Sequence, residues 1–149
     1  MPVLGLNTAI ISIIGQNFGA KNFLRVKESY FKAVIYGFTL MIISGLIIFI
    51  SADKIVSIFS DNPSVISFGT TYLKISALIF PAYPIFFISN GFFMAIKKSS
   101  YSMYLNIIRN VILPIPTIIV AIMFDGSFQT FFWSIVFSIG FMCCVYLFL

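Results

Sequence analysis

Long apolar stretches alternate with short polar segments along the whole chain. Four of these stretches cover residues 33–50, 75–96, 103–124 and 128–149, and residues 1–20 form a further one that polar side chains interrupt. A helix needs about 20 apolar residues to cross the hydrocarbon core of a bilayer. The pattern therefore predicts transmembrane helices at about 1–20, 30–51, 71–96, 101–124 and 128–149.

The predicted fold is all-α, a polytopic membrane helical bundle of about five transmembrane helices in a single transmembrane domain that covers residues 1–149. Strands of a membrane β-barrel would appear as short segments of alternating polarity. The composition excludes a water-soluble domain, because only 9% of the residues are charged and the mean hydropathy is +1.09. Soluble domains carry about a quarter charged residues. The lipid bilayer is therefore an expected partner.

The basic residues predict the orientation of the helices, because cytoplasmic loops collect lysine and arginine. The first and third connections are basic, whereas the second is mixed and the fourth holds one acid. The first connection carries Lys21, Arg25, Lys27 and Lys32, and the third carries Lys97 and Lys98. The second carries Asp53, Lys54 and Asp61, and the fourth carries Asp125. The first, third and fifth helices should run toward the cytoplasm. The basic residues are too scattered to predict a nucleic-acid partner.

Prolines punctuate the predicted helices. Asn62 followed by Pro63 is typical of a helix start, so the third helix should begin before Tyr72. Interior prolines remove a backbone hydrogen bond and kink a membrane helix. Two pairs of prolines should kink their helices in this way. Such kinks occur both in cavity-lining helices and as plain structural bends. The pairs are Pro81 with Pro84 and Pro114 with Pro116.

The sequence offers little catalytic or metal-binding chemistry. It contains no histidine, and its two cysteines, Cys143 and Cys144, are adjacent and fit a lipid-buried helix as small apolar residues. No nucleophile paired with a base and no phosphate-binding loop is visible. We therefore expect no catalytic residues, no metal site, no bound cofactor and no enzymatic activity. Both ends of the chain lack the usual polar flanks, so we expect a truncated protein.

One motif narrows the function. Gly15, Gly19 and Ala20 share a helical face that would let another backbone approach closely, and Gln16 adds a hydrogen-bonding group near the helix end. The string from Gly15 to Asn22 resembles the G-Q-x-x-G-A-x-N signature of the multidrug and toxic compound extrusion family. Residues 95–100 and 105–114 resemble the family's second-half basic loop and the helix that follows it. Residues 61–72 resemble one of its outer loops.

The resemblance implies a segment of a two-lobed, twelve-helix transporter. The chain is similar to helices eight to twelve, a second lobe without its first helix, and Arg109 with Pro114 and Trp133 favour the second lobe over the first. The implied function is secondary active efflux by alternating access in the cell (inner) membrane. Organic, often cationic, drugs are the implied substrates, and the missing N-terminal lobe is the implied partner.

The coupling ion of such an antiporter would be H⁺ or Na⁺. Its carboxylate site is expected outside this segment, because all four acids, Glu28, Asp53, Asp61 and Asp125, fall at loops or interfaces. A lipid-linked sugar flippase of the same superfamily is the alternative within transport. A small membrane scaffold protein without transport activity is the alternative outside it.

Polar side chains within the spans are the candidates for the substrate path, because they are costly in lipid. Asn106, Arg109 and Asn110 should share one helical face, and Tyr36 and Asn90 are further candidates, together with Tyr83 and Ser89. We expect Arg109 to extend to the cytoplasmic interface, with the asparagines holding helices together. The alternative is that this face lines a cavity.

Overall fold

The computed structural model describes residues 2–124, 135–137 and 139–142, and these residues are helical apart from short connections. Six α-helices and one π-helical segment follow one another in residues 2–124. They are α1 (Pro2–Gly19), α2 (Phe23–Ser57), α3 (Pro63–Ile79), α4 (Ala82–Ala95), α5 (Ser99–Ile107), the π-helical segment Ile108–Ile112, and α6 (Pro114–Phe124). The predicted all-α helical bundle is confirmed. Most of the predicted fifth span, with Asp125, Trp133, Cys143 and Cys144, lies outside the described residues.

α2 is the one helix of the described residues that is long and apolar enough to cross a membrane by itself. α3 and α4 meet the same requirement together, as one span bent by 48°. α1 is a shorter apolar helix, and the π-helical segment divides α5 from α6. The number of five spans therefore stays a prediction.

Asparagine side chains begin two of the helices. The Asn62 side chain accepts a hydrogen bond from the Ser64 N–H at 3.0 Å, and Pro63 occupies the first helical position of α3. The predicted helix start at Asn62–Pro63 is confirmed. Asn22 begins α2 in a similar way, accepting from the Arg25 N–H at 3.3 Å.

Only one proline of each predicted pair interrupts a helix. The bend between α3 and α4 lies at Pro81, which has no N–H to continue α3. Pro84 lies in the first turn of α4, where N–H groups have no intrahelical partner anyway. The expected kink at Pro84 is therefore absent, and Pro116 lies in the same position in the first turn of α6. Before Pro114, the Leu113 N–H bonds the Ile108 carbonyl at 2.9 Å, five residues back.

α4 occupies the centre of the described bundle and packs against α1, α2 and α5. Two apolar clusters surround it. The first consists of Ile10, Ile14, Val26, Ala33 and Ile88, and the second of Ile85, Phe86, Leu105 and Met142. Many large apolar side chains instead point away from the bundle, as lipid-facing residues do.

Glycine permits a close approach of α2 to α4. A Cβ atom on Gly37 would lie 2.9 Å from Pro84 Cβ and 3.2 Å from Ile88 Cδ1. Pro84 is fully buried and its ring is rigid, so it cannot move aside alone. The contact thus fixes the spacing of these two helices.

Candidate functional site

An interhelical hydrogen-bond network joins α4 to α5. Asn90, Ser102 and Asn106 form it, and we call these three residues the amide cluster. The Ser102 hydroxyl and the Asn106 amide both donate to Asn90 Oδ1, at 2.8 and 3.1 Å. Asn90 Nδ2 donates in return to Asn106 Oδ1 at 3.4 Å. Asn106 therefore holds two helices together through Asn90, as one of the sequence interpretations proposed, whereas Asn110 bonds within its own helix.

Arg109 lies beside the amide cluster and packs on aromatic rings of α4. Its guanidinium carbon is 4.3 Å from the centre of the Phe86 ring and 5.9 Å from that of Tyr83. A cation over an aromatic face is attracted by the negative charge density of the ring. Because Phe86 is fully buried, Arg109 reaches into the bundle.

The expectation that Arg109 extends to the cytoplasmic interface is wrong. The residue lies roughly 15 Å along the helix axis from Ser99, at about 1.5 Å per residue. Its guanidinium turns toward Tyr83 and Phe86, which precede Asn90 on α4 and therefore lie farther from the basic α4–α5 loop than the amide cluster does. The attraction between the Arg109 guanidinium and the two aromatic rings replaces the water that would hydrate the guanidinium at the interface.

Two further substrate-path candidates, Asn110 and Tyr36, are exposed. Asn110 is exposed and its amide donates to the backbone carbonyl of Asn106 at 3.0 Å, a bond within its own helix. Tyr36 is 64% exposed on α2. It lines a groove of about 290 Å³ between α1 and α2, whose other walls include Leu6, Ile10 and Ala33.

Gly15, Gln16 and Gly19 occupy the last turns of α1 and Ala20 follows its end. Among the described residues, only Gly15 meets the backbone of another helix. A Cβ atom on Gly15 would lie 3.9 Å from the Ala95 carbonyl oxygen of α4. Gly19 has open space around its Cα, Ala20 is exposed, and the exposed Gln16 donates to Ser12 Oγ at 3.5 Å. Within the described residues the close approach therefore occurs at Gly15, and the packing of another backbone on Gly19 and Ala20 stays a prediction.

Two polar contacts of α4 were not predicted. The Tyr30 hydroxyl lies 2.8 Å from Ser89 Oγ and links α2 to α4. Asn7 of α1 places its buried Oδ1 directly against Gly91, where a Cβ atom would clash with it. In the sequence, the only sign of this contact is a glycine at position 91 and a polar residue at position 7. The two positions come together only in the tertiary fold, so the sequence alone could not pair them.

The described acids occupy the ends of helices. Glu28 bonds Lys32 at 2.7 Å and Asp53 bonds Lys74 at 3.4 Å, both pairs being exposed, and Asp61 is exposed in the α2–α3 connection. The Lys32 ammonium, as hydrogen-bond donor and as positive charge, lowers the pKa of Glu28 below its ordinary value. The part of the chain that the structure describes contains no group of three or more His, Cys, Asp or Glu side chains that could bind a metal ion.

The sequence profile of the MatE family matches residues 1–120 of this helical segment. The chain belongs to the MatE family. A relative is the probable multidrug resistance protein YpnP of Bacillus subtilis (strain 168), which is 28% identical over 116 residues. The match covers 78% of this chain and 26% of the relative, so the MatE chain spans about a quarter of that protein's length.

Solved transporters share the fold of this MatE chain. A MOP superfamily transporter from Pyrococcus furiosus Vc1 matches with a TM-score of 0.91 at 19% identity. That transporter is described as having a binding pocket of reverse polarity, which suggests a different function. A multidrug resistance MATE family transporter matches in its outward-facing conformation with a TM-score of 0.91 at 17% identity. An inward-facing conformation of such a transporter matches with a TM-score of 0.90 at 18% identity.

These matches cover 99% of the MatE chain but only 33–34% of each solved transporter. Membership of this family indicates an integral membrane transporter fold. The assignment to the second lobe and the orientation in the inner membrane stay predictions.

Proposed function

We propose that this chain forms part of a secondary active transporter that exports organic, often cationic, drugs across the cell membrane by alternating access. The observation that carries the proposal is the match to the MatE family over residues 1–120. The probable multidrug resistance protein of Bacillus subtilis among its relatives supports the drug substrate.

Alternating access requires each lobe to move without unfolding. The similarity of the chain to both outward-facing and inward-facing transporters, at TM-scores of 0.91 and 0.90, supports such a movement. The contacts of α4 would keep the segment rigid, since Gly37 packs on Pro84 and the amide cluster joins α4 to α5. The segment would then rock against the other lobe as a unit.

The apolar groove between α1 and α2 suits an amphipathic substrate. Aliphatic side chains form most of its lining, and Tyr36 adds an aromatic ring and a hydroxyl. Pockets for small molecules are mostly apolar with a few polar groups. Lys32 also lines the groove, and its pairing with Glu28 offsets a positive charge that would repel a cation.

The proposal places the H⁺ or Na⁺ site in the part of the two-lobed transporter that this chain does not contain. A coupling carboxylate has to be shielded from bulk water for its protonation to follow conformation. The described carboxylates are exposed, and two of them pair with lysines.

A lipid-linked sugar flippase is the second candidate, and Arg109 is the observation that favours it. A cationic side chain within the helical bundle suits a phosphate-bearing substrate better than a cationic drug. Arg109 is partly buried on Phe86, although its cation–π contact already engages one face of the guanidinium.

Drug accumulation in a drug-sensitive bacterial host tests the proposal. Three strains are compared, carrying the empty vector, the 149-residue chain, and a two-lobed reading frame that contains this chain. We expect ethidium accumulation to fall only with the two-lobed protein, because a cavity between lobes needs both lobes. Immunoblots of membrane fractions confirm equal abundance.

Unchanged ethidium accumulation with the two-lobed protein at verified abundance would contradict drug export. Restored sugar translocation by the same protein in a flippase-deficient strain would establish the alternative. An ion-dependent fall in accumulation with the 149-residue chain alone would contradict the requirement for two lobes.

A further inference from the structure

The two basic connections lie side by side at one end of the bundle. Phe18, three residues before Lys21, and Ile96, next to Lys97, pack on the same apolar cluster as Val26. The contact of Gly15 with the Ala95 carbonyl likewise brings the end of α1 to the end of α4. The lysines of the two connections therefore form one surface.

Two residues after the end of α1 and of α4, a lysine lies in the left-handed backbone region. Lys21 has φ of 57° and Lys97 has φ of 61°. In each case the next N–H bonds a carbonyl five residues back, from Asn22 to Asn17 at 2.9 Å and from Lys98 to Phe93 at 2.9 Å. Glycine is the usual residue at this position of such a helix end, because a Cβ atom is strained there. The lysine side chains at both positions are therefore expected to have a role that outweighs the backbone strain.

The surface carries an excess of positive charge. Its only carboxylate among the described residues is Glu28, which Lys32 already pairs with at 2.7 Å. The remaining cations are exposed, and we call them the basic surface. They are Lys21, Arg25, Lys27, Lys97 and Lys98.

Apolar side chains accompany these cations. Phe23 and Leu24 stand between Lys21 and Arg25 with 60% and 84% of their surface exposed. An acidic protein partner would need only the charges, whereas a bilayer surface presents phosphates beside acyl chains. Cations flanked by exposed apolar residues are typical of the membrane interface.

We propose that the basic surface binds the phosphate of anionic phospholipid headgroups, with Lys21 and Lys97 as its central cations. Phe23 and Leu24 enter the adjoining acyl region. The left-handed backbone at both lysines keeps them on the short connections that face the headgroups. This binding surface is independent of what the transporter exports.

Native mass spectrometry of the purified 149-residue chain tests the proposal. The chain is incubated with an equimolar mixture of phosphatidylglycerol and phosphatidylcholine, and the retained lipids are counted. We expect a preference for phosphatidylglycerol that Lys21→Gln with Lys97→Gln lowers by at least about tenfold, since each surface lysine contributes about fivefold. Lys21→Arg with Lys97→Arg should keep the preference within about twofold.

Two further variants separate lipid binding from a structural role. Lys21→Gly with Lys97→Gly relieves the backbone strain and should fold at least as well, yet it should lose the preference like the glutamine variant. Lys54→Gln with Lys74→Gln removes two lysines at the opposite end and should leave the preference unchanged.

Several results would overturn the proposal. One is equal retention of the two lipids by the unaltered chain. Another is an unchanged preference in the glutamine and glycine variants with only a lower melting temperature, which would assign the lysines to the helix dipole. Displacement of phosphatidylglycerol by an equimolar amount of inorganic phosphate or of a polyglutamate peptide would also contradict a site that binds the lipid through both its headgroup and its acyl region.

Discussion

Replacing Phe86 by alanine should lower the free energy of unfolding by about 3 kcal/mol, at the lower end of the range for buried phenylalanine. Phe86 is fully buried beside Leu105 and Met142 and supports the Arg109 guanidinium at 4.3 Å. Unfolded helices stay in an apolar solvent, so the transfer contribution is small. The cavity and the lost cation–π contact remain. Loss of helicity during titration with sodium dodecyl sulfate measures the effect.

Phe59→Ala is the matched control, because Phe59 is 84% exposed just after the end of α2. It should change the free energy of unfolding by less than about 0.5 kcal/mol. Equal effects of the two substitutions would mean that Phe86 does not form part of a packed core.

Replacing Gly37 by alanine should destabilise the bundle by a net of about 1–2 kcal/mol. The added Cβ atom would meet the rigid Pro84 ring at 2.9 Å, and overpacking of this kind costs about 1–3 kcal/mol. The better helix propensity of alanine offsets up to about 1 kcal/mol. The same titration measures the net effect.

Gly5→Ala supplies the control, since among the described residues no atom of a neighbouring element lies within 4 Å of a Cβ atom built on Gly5. It should stabilise the chain by up to about 1 kcal/mol through helix propensity. Stabilisation by both alanine variants would show that α2 and α4 are not in close contact at Gly37.

Local features of the fold could be predicted from the sequence because they depend on neighbouring residues. Asn62 and Pro63 begin α3 as expected, since a cap needs only the next two or three positions. Proline indicated the bend at Pro81 for the same reason. Whether a second proline kinks a helix depends on its distance from the new helix start, and Pro84 comes too soon after Pro81 to do so.

Contacts between helices were harder to predict. Helical spacing placed Asn106 and Arg109 on one face, and both do face α4. That Asn90 would lie opposite Asn106, and Phe86 opposite Arg109, depends on the antiparallel alignment of α4 and α5. The direction of Arg109 was therefore misjudged, because a long cationic side chain near an interface and one packed on a ring have the same local sequence.

Ion-driven drug flux in proteoliposomes tests the central claim most directly. The two-lobed protein containing this chain is reconstituted in vesicles, and uptake of a fluorescent organic cation is followed after an H⁺ or Na⁺ gradient is imposed. We predict uptake against the drug gradient that stops when an ionophore collapses the ion gradient. Uptake that is equal with and without both gradients, or equal to that of protein-free vesicles, would contradict the assignment as a secondary active drug exporter.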